Sequence, residues 1–116
     1  MDELIGRLVA ETGVDRAAAE KALAIILAFL VKEGPADKVQ ALLARMPGAE
    51  AAAQQGAGAL GMGGVMGAGA ALMGLGLGMS QVQNVTRVVM AHARETAGED
   101  TVGEIVGAIP GLSQFI

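Results

Sequence analysis

Apolar residues recur at helical spacing from the start of the chain. Leu4, Ile5, Leu8 and Val9 share one face of a predicted helix over residues 2–11. Asp2 and Glu3 stand in its first turn, where the helix dipole favours anions, and Glu3 and Arg7 are spaced i,i+4. Thr12-Gly13 ends it. Asp15 is placed to cap a second helix running to about residue 33, whose stripe includes Ala22, Ile25, Ile26, Phe29 and Leu30. Gly34-Pro35 stops that helix. A third, over about 36–46, carries Val39, Leu42, Leu43 and Met46 and halts before Pro47-Gly48.

The same plan recurs later in the chain. A shift of 63 residues aligns 17–48 with 80–111 without a gap, so that Asp37, Val39, Pro47 and Gly48 meet Asp100, Val102, Pro110 and Gly111. Leu42, Leu43 and Met46 meet Ile105, Val106 and Ile109, while Ala22, Ile25 and Ile26 meet Val85, Val88 and Val89. Ser80 with Gln83 reads as a capping box opening the long helix of the second half, and Gly98 closes it as Gly34 closes its counterpart. The first helix then has a counterpart near 65–77.

Between the halves, residues 56–78 hold ten glycines in 23 positions and no charge. Each glycine costs about 1 kcal/mol relative to alanine in a helix, so a fully helical stretch gives up roughly 10 kcal/mol. Residues 67–77 have enough apolar side chains to recover this by packing and are expected to be helical; 56–64 are expected to be loop-like. A small-residue stripe can be drawn through Gly56, Ala59, Gly63, Gly67, Ala71, Gly74 and Gly78, a pattern that lets helix backbones approach closely. Residues 51–86 lack charge over a length that would cross a bilayer, which makes membrane association through 65–79 an alternative reading. Against a spanning helix, no aromatic residue borders the stretch, and Lys38 and Arg45 on one side are balanced by Arg87 and Arg94 on the other.

Composition narrows the function classes. A length of 116 residues suits one shared core, and 53% hydrophobic with 2% aromatic content means a core of Ala, Leu, Ile, Val and Met. A net charge of −4, eight scattered basic residues and the lack of Trp and Tyr argue against a nucleic-acid partner. Cysteine is absent, which removes disulfides and thiolate chemistry. The opening MDELIGRLVAE mixes charges into a short apolar pattern unlike a secretory signal, so a cytoplasmic location is expected.

Candidate chemistry is thin. Gly56, Gly58 and Gly61 match G-x-G-x-x-G, but a dinucleotide site needs a strand before it and an acid about 20 residues after it. AAAQQ precedes the match, and the first acid beyond it is Glu95. His92, the only histidine, lies on the stripe of Val85, Val88 and Val89 and is expected to be partly buried, with Glu95 at i+3 as a hydrogen-bonding candidate. Glu99, Asp100 and Glu104 form the densest acidic group, and acids at a helix start have an ordinary electrostatic reason to be there. The seven methionines, including Met62, Met66, Met73 and Met79, are expected chiefly to fill the core, although methionine-rich surfaces also suit adaptable binding. No catalytic, cofactor-binding or metal-ligating residue is assigned. An enzyme would need a cleft where His92 meets the acids of 99–104.

The phrases TGVDRAAAEKAL, GPADKVQALLARMPG and GEDTVGEIVGAIPG resemble small bacterial helical domains of unknown function, the VcgC/VcgE-like group, over roughly 12–48 and 78–111. That resemblance implies an all-helical fold and assigns no residue a role. The expected architecture is therefore all-α: about six helices in two related three-helix halves, 1–48 and 65–116, packed as one domain and joined by a Gly/Ala-rich connection over 49–64. The expected role is a non-catalytic interaction or self-assembly module, a homo-oligomer without a cofactor.

Overall fold

Helix α2 (Arg16–Glu33) is the axis of the fold, and its sequence explains why. Residues 22–30 are apolar on every face and all of them are buried, as befits a helix enclosed by its neighbours. Asp15 accepts a hydrogen bond from the Ala18 N–H at 2.8 Å, capping its first turn. At the other end Gly34 fits where a Cβ would lie 2.7 Å from both the Leu30 carbonyl oxygen and Val39 Cγ2, so α3 follows closely.

The computed structural model describes residues 1–60 and 64–115, with side chains described as far as Ser113. Around α2 stand α1 (Asp2–Thr12), α3 (Ala36–Ala44), α4 (Ala49–Ala57), α5 (Gly64–Met73), α6 (Met79–Ala97) and α7 (Glu99–Ala108), followed by a 3-10 turn, Leu112–Phe115. The described residues contain no strand. Helix α1 packs on α6 and α2, α5 on α2 and α6, and α3 on α7, all sharing one hydrophobic core. Ion pairs trim the seams: Arg7 Nη1 to Glu95 Oε2 at 3.0 Å joins α1 to α6, and Lys38 Nζ to Glu104 Oε2 at 2.8 Å joins α3 to α7. These pairs are solvent-exposed and add little stability.

Several expectations need correction. Seven helices are described instead of about six, because residues 49–57, expected as connection, form α4. Its buried face is Ala49, Ala53 and Gly56, spaced for one side of a helix, and a Cβ on Gly56 would collide with the Ala24 carbonyl of α2. Residues 49–55 are strong helix formers, and backbone-to-backbone packing against α2 offsets the cost of Gly56, which is helical where a loop was expected. Residues 61–63 of the glycine stretch lie outside the described residues. Helix α5 covers 64–73 instead of 67–77, and residues 74–76 turn towards α6. Among the described positions of the small-residue stripe, Gly56 lies in α4, Gly67 and Ala71 lie in α5, and Ala59, Gly74 and Gly78 lie outside both, so no single helix carries it.

At α6 the expected Ser80/Gln83 box is not the cap: the helix starts at Met79, and only the backward half of a box forms, because a glycine N-cap has no side chain. Gly78 is the N-cap residue and its N–H donates to Gln81 Oε1 at 3.4 Å. Helix α3 stops at Ala44, and Met46 is buried in the turn beyond it. Helix α6 begins 63 residues after α2, and α7 begins 63 residues after α3.

Candidate interaction surfaces

Helix α5 turns Gly67, Ala68 and Leu72 into the core, and helical geometry then sends Met66, Ala70 and Met73 outwards at i, i+4 and i+7. Met66 is 79% exposed and Met73 46%, and Met79 at the start of α6 is 50% exposed. These three methionines, expected chiefly as core filler, are surface residues, whereas Met46 and Met90 are buried. The face is anchored from below. The Gly64 N–H, at the start of α5, donates to Glu33 Oε2 of α2 at 3.0 Å, so a distant carboxylate satisfies one of the free donors of this helix.

A pit of about 440 Å³ opens between α2, α3 and α4. Its floor is apolar, with buried Ala28, Val39, Leu43 and Ala53, and Val31, 49% exposed, stands on its wall with Leu60. The polar residues of the lining are Lys32, Gln40, Glu50 and Gln54, all exposed at the rim. This volume lies in the range that holds small ligands or one bulky anchor of a partner. A second cavity, about 30 Å³, lies under α5 among Ile26, Phe29, Leu72, Val82 and Met90. Thr86 borders it, but its hydroxyl donates to the Val82 carbonyl at 2.8 Å. Its lining is otherwise apolar and brings no reactive groups together.

The sequence-derived candidates are not brought together. His92 is half-buried on α6, as expected, but Glu95 turns to Arg7 instead of to the imidazole. Arg7 also binds Glu11 at 2.7 Å, and its hydrogen bonds to Glu11 and Glu95 raise the guanidinium pKa further above its ordinary value. Glu99 and Asp100 occupy the first turn of α7, while Glu104 is held by Lys38, whose pKa is raised chiefly by that hydrogen bond. No cluster of three metal-ligating side chains occurs among the described residues. The pit contains neither His92 nor the acids of 99–104. Gly56 of the G-x-G-x-x-G match is buried in α4 against α2, and Gly61 lies outside the described residues.

Comparison with known proteins finds no matching family model, no significantly similar curated protein and no significantly similar solved structure. The two surfaces are therefore read from their own chemistry. Sequence reasoning placed the methionines chiefly in the core, with an adaptable surface as the alternative, and missed the pit. The uncharged run of 51–86 is the signal that flags the methionine face, whereas the pit joins three helices and has no local signature.

Proposed function

We propose that this chain is a non-catalytic helical module that self-associates through the methionine face of α5. The observation that carries the reading is the exposure of Met66, Met73 and Met79 on a segment without charge. Methionine side chains are flexible and polarisable, so such a face adapts to an apolar partner, and covering it removes that surface from water. We further read the chain as two related halves, α1 to α3 and α5 to α7, with α4 added between them; the 63-residue offset between helix starts supports this. The acidic balance and scattered basic residues favour a protein partner over nucleic acid, and a cysteine-free chain suits the cytoplasm.

Light scattering coupled to size-exclusion chromatography, across a range of protein concentrations, tests the proposal. The wild-type chain is expected to self-associate in buffer, and Met66→Glu/Met73→Glu to remain monomeric with an unchanged helical circular dichroism spectrum. A wild-type monomer at every concentration would overturn it. The alternative, membrane association through 65–79, draws on the same exposed methionines. Among the described residues no helix is long and apolar enough to cross a membrane, so this alternative takes the form of α5 lying in the interface. Co-flotation of the wild-type chain with phospholipid vesicles, lost in the double-glutamate variant, would favour it.

A further inference from the structure

Two apolar features of the described surface, the convex methionine face and the concave pit, lie on different sides of α2. Ala28, Val31 and Lys32 of α2 line the pit, whereas Ile26, Phe29 and Leu30 line the small cavity shared with Val65, Ala68 and Leu72 of the α5 side. At 3.6 residues per turn these two sets point in roughly opposite directions from the α2 axis. Met66 and Met73 project from α5 on the side away from the core. A molecule therefore cannot fill its own pit with its own methionines.

The chemistry of the pit selects its occupant. One lysine and one glutamate on the rim balance, so neither an anion nor a cation is drawn in by net charge. The floor side chains are Ala28, Val39, Leu43 and Ala53, which present no hydrogen-bonding group. An uncharged, flexible apolar side chain on a slim helix fits these terms, because no charge has to be desolvated. Helix α5 supplies it: its sequence GVMGAGAALM has no charge, and glycine or alanine flanks both Met66 and Met73 on the neighbouring turns.

We infer that Met66 and Met73 of one molecule dock into the α2–α3–α4 pit of a second copy, head to tail. This inference rests on the self-association reading and specifies its geometry. Because the two contacting surfaces differ and face apart, each bound copy leaves a free face and a free pit, and the assembly grows as a ring or an open chain.

Two variants separate the surfaces. Met66→Glu/Met73→Glu removes the face, and Val31→Glu/Ala57→Glu blocks the pit at exposed positions with the same charge sign, so the two lesions cannot attract each other. Each variant alone is expected to be monomeric by light scattering at concentrations where the wild type assembles. An equimolar mixture is expected to give a species of twice the 11.6 kDa monomer mass that grows no further. A mixture that stays monomeric, or a pit variant that assembles like the wild type, would overturn the head-to-tail geometry and leave self-association standing. A wild type that never assembles would remove both. Should a double variant lose its helical spectrum, cysteine pairs decide instead, since the chain has no cysteine of its own. Met66→Cys and Val31→Cys chains, mixed under mild oxidation, are expected to give the mixed disulfide dimer in excess over Met66→Cys homodimer; the reverse excess counts against the docking.

Discussion

Two glycines of the same stretch should respond to alanine with opposite signs. At Gly56 the added methyl meets the Ala24 carbonyl carbon and oxygen and then the Ile25 nitrogen, all backbone atoms of the central helix. No side chain can rotate away, so α4 must shift outwards and loosen the packing of Ala49 and Ala53. Overpacking of this kind costs roughly 1–3 kcal/mol, occasionally more. Alanine recovers about 1 kcal/mol of helix propensity, so a backbone clash at the upper end of that range leaves a net loss of about 2 kcal/mol. At Gly69 an added methyl would have nothing within 4 Å of it, and the residue borders the small cavity under α5. There the propensity gain of about 1 kcal/mol stands unopposed. At roughly 4 °C per kcal/mol for a chain of this size, Gly56→Ala should melt about 8 °C below wild type and Gly69→Ala about 4 °C above it. Thermal unfolding followed by circular dichroism reads both shifts, with urea midpoints as a second measure. If Gly56→Ala is as stable as wild type, the close α2–α4 contact is wrong, and with it the reason given for a glycine inside α4.

Three smaller perturbations test the caps and a seam. Glu33→Ala removes the carboxylate that accepts from the Gly64 N–H and should destabilise α5 by about 1 kcal/mol, seen as faster amide hydrogen exchange in that helix, whereas Glu33→Gln retains an acceptor and should lose less. Asp15→Ala should lower overall stability by about 1 kcal/mol in urea titration through loss of the α2 cap, and Asp15→Ser should restore most of it. For Lys38 and Glu104 the sign follows from the raised lysine pKa: the pair stabilises fully below the ordinary lysine value of 10.5 and is lost as pH rises through the higher folded value. The small stability difference between wild type and Glu104→Gln should therefore be constant around neutrality and vanish in strong alkali, as measured by urea midpoints against pH.

Much of the helical plan is local and was legible from the chain. Asp15 before an apolar run, Gly34-Pro35 after it and the Gly13 and Gly98 stops each act through backbone groups a few residues away, so α1, α2 and the start of α7 follow from sequence pattern. The half-burial of His92 was legible in the same way, from its place on the stripe of Val85, Val88 and Val89. Tertiary structure decided the remainder. Whether Gly56 belongs to a helix depends on the backbone of Ala24, 32 residues earlier, and intrinsic propensity favours the opposite answer. Glu95 chooses Arg7 over His92 because α1 lies across α6, and Glu33 caps α5 because the end of α2 meets its start. The methionines reach the surface for the same reason: α5 has one face for the core, and Ala68 and Leu72 occupy it. Helix starts and stops are written in short-range hydrogen bonds, whereas the α4 crossing, the pit and the exposed face arise from which helices approach closely enough to touch.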